Sequence, residues 1–283
     1  MTLISCWGEY IHPYGKGFIF YTDKKWVAGK ADLFSDKIVI SGKGKDYKRI
    51  IIPFLAILSL DKKIALPVVK EGRSTLLIEY IDIKSRERIY TLFSSEGSCV
   101  REFKKKLLQE IVKRISISVK KGDRWERAYL QVENYVIKFV PSGQSFHISN
   151  ILEMYRRGIE IGFNKVSAIT LKIEKGEEKE EILIITPPLK RDFFWQLLNL
   201  LMEEYINTQI LMKLTNREKL ILQMLDEGWS YQQIQAKLEI PEKDMEEILK
   251  KLENFGIVKK IIIVKLTDRG KTVLQFIPSQ EFE

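Results

Sequence analysis

LTNREKLILQMLDEGWSYQQIQAKLEIPEKDMEEILKKLENFG, residues 214–256, spells out three short helices in succession. Thr215 and Glu218 stand three apart ahead of an apolar run, the spacing of a capping box, and open a helix carrying Leu220, Leu222, Met224 and Leu225. That helix stops at Gly228, where a left-handed turn is cheapest. Ser230 and Gln233 repeat the box for a shorter helix ending near Leu238, and Pro241 marks the start of a third, where its missing N–H costs nothing. Met245, Ile248, Leu249 and Leu252 recur at helical spacing and so face a core, and Gly256 ends the helix. Residues 257–266 are β-branched and extended, suited to a wing, and Thr267-Asp268-Arg269-Gly270 leads a last short helix through Val273 and Phe276. The order predicts a winged helix-turn-helix, a shape that places its third helix in the DNA major groove.

The charges of that helix do not follow the shape. Its outward face carries Glu242, Lys243, Glu246, Glu247, Lys250 and Glu253, with no Arg, Asn or Gln between Pro241 and Glu253. A groove-reading helix lies between two phosphate chains, where Lys and Arg release counterions and Arg, Asn or Gln read base edges. Three readings of the face therefore stand: a solvated surface, a dock for a protein with Glu242, Lys243, Glu246, Glu247 and Lys250 at its centre, and DNA reading supported by Lys259, Lys260 and Lys265 on the wing.

Charge is distributed unevenly along the 283 residues, whose formal net charge is +9. Three domains are expected, at residues 1–114, 115–208 and 209–283. The first holds 22 Lys or Arg against 13 Asp or Glu, the second 13 against 13 and the third 12 against 12, so the whole excess lies in the first. That is the reverse of the footprint of a nucleic-acid-binding winged helix. The basic groups fall in two places, Lys43, Lys45, Lys48 and Arg49 on a strand-joining loop and Lys104, Lys105 and Lys106 on a helix. A solvated surface, an anionic membrane at about 1 kcal/mol per basic residue, and an acidic protein are all open as their surroundings.

The first two domains read as one pattern written twice. Residues 31–40 are two strands around Ser35-Asp36-Lys37, residues 43–46 a turn, and residues 49–54 a strand ended by Pro53. Residues 76–81 and 88–93 are further strands, and Val100, Phe103, Leu107, Leu108, Ile111 and Val112 mark one face of a helix over residues 97–114. Residues 1–23, with Trp7, Tyr10, Tyr14, Phe18 and Phe20, contain a strand or two. The pattern returns after Trp125 as a hairpin over residues 128–139 turning at Glu133-Asn134. Residues 146–148 stand in for 50–52, strands 168–173 and 181–185 flank a charged turn at 174–180, and a closing helix follows Pro187-Pro188 through Phe193, Leu197, Leu200, Leu201 and Ile206. A duplication of roughly 90 residues follows. The expected fold is α+β, with two tandem pleckstrin-homology-like bent antiparallel sheets, each closed by a helix, followed by the winged helix. The helix over residues 192–212 is apolar almost all round and asks to be covered on both sides. The second cover is the winged helix or, in a homodimer, a second copy.

No motif of catalysis is present. His12 and His147 have no Cys, His or carboxylate at metal-ligand spacing, Gly15-Lys16-Gly17 is too short for a phosphate loop, and Glu177, Glu178, Glu180 and Glu181 read as a solvated turn. Neither an enzyme nor a cofactor is expected. Cys6 and Cys99 lie far apart without a C-x-x-C pairing, which indicates neither a disulfide framework nor a zinc ribbon. No signal-peptide pattern opens the sequence and no run of about 18 apolar residues occurs, so a cytoplasmic protein without a transmembrane segment is expected.

Two pleckstrin-like units followed by a charge-neutral winged helix resemble the archaeal taxis protein CheF family. The local likeness lies in Leu214-Thr215-Asn216-Arg217-Glu218-Lys219-Leu220-Ile221-Leu222, in Asp226-Glu227-Gly228-Trp229-Ser230, in Ile234-Gln235-Ala236-Lys237-Leu238, and in Asp244-Met245-Glu246-Glu247-Ile248 with Leu252. Leu33-Phe34-Ser35-Asp36-Lys37-Ile38 is similar to the family's early hairpin. The resemblance implies a non-enzymatic adaptor that links the response regulator CheY, with CheC and CheD, to the archaellum motor switch and so controls swimming direction, with no specific nucleic acid as partner. A DNA-binding transcription regulator and an anionic-membrane-binding module are the alternatives.

Overall fold

Strand β1 (Thr2–Lys16) runs through the centre of the first sheet and pairs with strands on both sides. The computed structural model describes residues 1–17, 19–21, 25–43, 49–62, 72–121, 124–161, 163–176, 178–259 and 265–274. After β1 come β2 (Ile19–Phe20), β3 (Val27–Phe34), β4 (Lys37–Gly42) and β5 (Ile50–Pro53). A 3₁₀ turn at Phe54–Ala56 leads to β6 (Ile57–Leu60), β7 (Arg73–Ile81), β8 (Arg88–Glu96) and helix α1 (Gly97–Val112). The antiparallel sheet has the order β5-β4-β3-β1-β8-β7-β6, with β2 on β1. In β3 the residues Gly29, Ala31 and Leu33 are buried while their neighbours are not, the period-two signature of a sheet with one covered face. Val100, Phe103, Leu107, Leu108 and Ile111 are the buried stripe of α1.

The second sheet repeats the first. Its strands are β9 (Ile117–Lys121), β10 (Arg124–Glu133), β11 (Val136–Val140), β12 (Ser145–His147), β13 (Ile151–Ile161), β14 (Asn164–Lys175) and β15 (Glu178–Ile185), with a 3₁₀ turn at Ile148–Asn150 between β12 and β13. The order is β12-β11-β10-β9-β15-β14-β13, and α2 (Arg191–Lys213) follows. With β2 set aside, strand order, position of the 3₁₀ turn and following helix agree between the two sheets. The fold is α+β, with two antiparallel sheets of one topology.

Two expectations on this region are corrected. Glu178, Glu180 and Glu181 of the acidic run sit on a strand rather than in the turn that its composition suggested, and Glu177 lies outside the described residues. β14 continues to Lys175 and β15 begins at Glu178, because the charges alternate across the ladder, with Lys175 opposite Glu178, Glu174 opposite Lys179 and Lys172 opposite Glu181. Cys6 and Cys99 form a disulfide with their Cα atoms 6.0 Å apart, within the usual span of such bonds. Separation along the chain hid their proximity. Glu9 of β1 pairs with Ser94 of β8, and β8 runs directly into α1, so Cys6 arrives beside the first turn of that helix.

The chain divides into two compact units, Met1–Met202 and Glu203–Glu283. Both sheets lie in the first. There Lys190 Nζ donates to the carbonyl of Ile57 (2.8 Å) and Gln196 Nε2 to that of Leu60 (3.0 Å), so groups at the start of α2 satisfy backbone acceptors on edge strand β6. Phe193, Phe194, Leu197, Leu198 and Leu201 of α2 are buried, whereas Ile206 and Met212 are exposed.

The second unit contains α3 (Asn216–Asp226), α4 (Tyr231–Lys237), α5 (Glu242–Asn254), the hairpin strands β16 (Val258–Lys259) and β17 (Lys265–Leu266), and α6 (Asp268–Leu274). Both capping boxes form. Thr215 Oγ1 accepts from the Glu218 N–H (3.2 Å) while Glu218 Oε2 accepts from the Thr215 N–H (2.7 Å), and Ser230 and Gln233 do the same at 3.3 and 2.8 Å. Gly228 (φ +90°) and Gly256 (φ +69°) take the left-handed conformation past α3 and α5. Ile221, Leu222, Ile234, Met245, Leu252 and Val273 are at the core. Leu220 is only half-buried, since Ile221, Met224 and Leu225 are the residues of α3 spaced to face inward. Lys260, Phe276 and Phe18 lie outside the described residues. Among the described residues, no helix is long and apolar enough to cross a membrane.

Candidate functional site

The third helix of the second unit is anchored from below, and this fixes what it presents outward. Met245, Leu249 and Leu252 are buried and Ile248 packs half-buried against the same core. Beside them Lys251 Nζ donates to both oxygens of Glu218, at 2.8 and 2.9 Å, and to the carbonyl of Lys213 at 3.1 Å. The ammonium thus ties α5 to the capping box of α3 and to the last turn of α2. Burial works to raise the Glu218 carboxyl, but the bonds from Lys251 and from the Thr215 N–H outweigh it and hold its pKa below the ordinary value.

With that side fixed, Glu242, Lys243, Glu246, Glu247 and Lys250 are all exposed, as the sequence indicates. None of the five is ion-paired among the described residues, although Glu246 and Lys250, and Lys243 and Glu247, stand at i,i+4 spacing. The carboxylates are therefore fully hydrated charges on a rigid helix, available to a partner without the loss of an existing pair. Tyr231, at the start of α4, borders this row. Its phenol is pushed up first by burial and then by the negative charges of Glu242 and Glu246. Sequence reading missed Tyr231 because it opens a different helix; the signal was its place as the aromatic residue right after the second capping box.

The basic residues of the first unit fall into separate surroundings. Lys45 and Lys48 lie outside the described residues. Arg49 is exposed, and Lys43 sets its ammonium 5.3 Å from the ring centre of Trp7, with that of Lys30 at 5.6 Å. Trp7 is 60% exposed, an aromatic platform beside two cations that charge counting alone could not find. Lys104 and Lys105 are already engaged, Lys104 with Asp61 at 2.5 Å and Lys105 with Glu102 at 2.6 Å. Two of the three helix lysines are thus neutralised, while Lys43 and Arg49 of the loop have no ion pair among the described residues.

His12 Nδ1 lies 2.7 Å from Thr91 Oγ1, and His147 Nδ1 2.7 Å from Ser149 Oγ. Glu79, 4% exposed, accepts from Ser59 Oγ and from the Tyr90 hydroxyl (3.0 Å) and lies 3.3 Å from Arg88 Nε. This buried carboxylate is satisfied by its neighbours, as a structural acid must be. Among the described residues, no three His, Cys, Asp or Glu side chains gather where they could hold a metal ion. Neither a scan against protein-family models nor a search of curated proteins found a match to this chain.

Proposed function

We propose that the protein is a non-enzymatic adaptor of the CheF type, in which two pleckstrin-like units carry a winged helix that docks a response regulator instead of DNA. The carrying observation is the row Glu242, Glu246, Glu247 on α5, exposed, unpaired and held rigidly by the core beneath it. Carboxylates in that position repel a duplex and attract a basic protein face. On this reading CheY is the partner of the row, and CheC, CheD and the archaellum's cytoplasmic components bind elsewhere on the chain. The adaptor works in the cytoplasm. A homodimer belongs to the proposal through Ile206 and Met212 of α2, exposed in the single chain. Light scattering at the monomer mass of 33.2 kDa would remove that part.

The test is binding of the full-length chain to purified CheY, with and without beryllofluoride to mimic the phosphoryl group. Saturable binding is expected. Absence of binding to either form, together with a sequence-selective DNA complex, would replace the adaptor with a transcription regulator.

A further inference from the structure

The second sheet contains a feature that plays no part in docking at α5. A cavity of about 550 Å³ opens where the start of β9, the middle of β10, the start of β14 and the end of β15 converge on the first residue of α2. Among the described residues three cations line it, Arg127, Lys165 and Arg191, and no carboxylate does. Three neighbouring cations of this sheet are neutralised, Arg156 by Asp192, Arg157 by Glu181 and Lys172 by Glu153. The three at the cavity have no ion pair among the described residues.

Hydroxyls complete the lining. Ser116 Oγ accepts from Arg127 Nε at 2.6 Å, which orients the guanidinium and leaves its terminal N–H groups unspent. Thr186 is 5% exposed, and its buried Oγ1 has no hydrogen-bond partner; the Arg191 Nε is likewise buried and without one. Neither atom is open to the cavity, so the donors it offers are the Lys165 ammonium and the terminal N–H groups of Arg127 and Arg191. The remaining wall, from Ile117, Val166 and Ile185, is apolar.

We infer that this cavity is a binding site for a phosphate monoester. A phosphate group brings close to two negative charges and three acceptor oxygens, enough for three cations at once, where a carboxylate brings one charge and two oxygens. The volume exceeds that of inorganic phosphate and lies in the range of small-molecule sites, and the apolar wall suits the carbon portion of the ligand. The phosphate is carried by a soluble metabolite or by a lipid headgroup, the chemistry at Arg127, Lys165 and Arg191 being the same.

Calorimetry of the full chain with glycerol 3-phosphate, using acetate as a control, tests the soluble source. Sedimentation with phosphatidylcholine vesicles containing phosphatidic acid, against vesicles without it, tests the lipid source. Saturable binding in one arm is expected, weakened about tenfold or more by Arg191→Gln and by Arg127→Gln. Lys165→Gln guards against misfolding as the cause. Lys165 is exposed and without an ion pair among the described residues, so the variant's melting temperature should match the parent's while its affinity falls. Glycerol 3-phosphate bound without vesicle binding identifies a soluble ligand, and the reverse a headgroup. Binding in neither arm, or binding unchanged in all three variants, overturns the site.

Discussion

Lys251 of α5 places its ammonium 2.8 and 2.9 Å from the two oxygens of Glu218, a carboxylate 4% exposed at the start of α3. One acid therefore serves two purposes, accepting the Thr215 N–H in the capping box and holding the helix that carries the proposed docking row. Lys251→Met leaves that carboxylate buried without its cation. A loss of about 1–3 kcal/mol in the second unit is expected, the lower end if water reaches the site past the half-exposed lysine stem. Hydrogen exchange resolved over residues 216–226 should show faster opening there, with the first unit unchanged. Uniform exchange in both proteins would mean that the pair contributes nothing.

The same pair sets a direction with pH. The folded-state pKa of Glu218 lies below its ordinary value of 4.5, so its contribution is complete above that value and is lost as pH falls through the folded pKa. Glu218→Gln keeps the capping-box acceptor but cannot titrate. Its second unit should be less stable than the parent at pH 7, and the difference should shrink as the parent is taken into acid. A difference that persists unchanged to pH 3 would assign the effect to packing.

Much of this architecture was legible because local signals dominate it. Thr215, Glu218, Ser230, Gln233, Gly228 and Gly256 each do in the structure what cap chemistry demands of them. The strands that escaped notice lacked such signals. β13 has Ile151 as its sole buried residue, since it is an edge strand whose side chains mostly meet solvent. β1 falls in residues 1–23, where a strand or two was expected, but its bounds were not legible because it alternates poorly and its register shifts beside both neighbours. The Cys6–Cys99 bond and the cavity at Arg191 depend on strand order, which no local pattern encodes. The exposed row on α5 was legible because helical periodicity alone decides which side chains face out.

The disulfide makes a separate prediction. The chain has two cysteines, and both are in the Cys6–Cys99 bond, which closes a span of 93 residues. Purified in air without reductant and unfolded in guanidinium, the protein should show no thiol to a chromogenic disulfide reagent. After reduction it should show both. Cys6→Ser should lower stability by about 2–4 kcal/mol relative to the oxidised chain. The cytoplasm keeps most such pairs reduced, so alkylation of intact cells before lysis should label both cysteines if the adaptor works there. Cells that yield only the unlabelled, bonded form would move the protein out of that compartment.

DNA binding should be weak and unselective. Lys259 of the hairpin is exposed, but three unpaired carboxylates on α5 would face the phosphates if that helix entered a groove. Gel shifts near physiological salt should show no specific complex, and whatever binding appears at low salt should vanish as salt rises. A sequence-selective shift at nanomolar protein would refute the adaptor reading.

The last prediction concerns the docking row itself. On the proposed adaptor reading a response regulator is the partner, and regulators of the CheY kind present a binding face built around a lysine, for which an acidic helix is a fitting counterpart. Glu246 and Glu247 are exposed, free of ion pairs, and carried on a helix whose opposite side is locked by Met245, Leu249, Leu252 and the Lys251–Glu218 pair. Reversing both to Lys changes the charge of the face without touching that support, so the melting temperature should hold. Charges at the edge of an interface act mainly on encounter, and their reach at physiological salt is about 8 Å. Association with beryllofluoride-activated CheY should therefore slow by about tenfold at low salt, lose most of its salt dependence, and leave the dissociation rate nearly unchanged. Tyr231, bordering the row, is the aromatic side chain best placed to contribute contact rather than steering, and Tyr231→Ala should show the opposite signature, with faster dissociation and an unaltered association rate. Stopped-flow traces of the two variants separate the contributions. Unchanged kinetics in the double reversal would leave the row as a solvated helix face and move the search for the CheY site to the first unit.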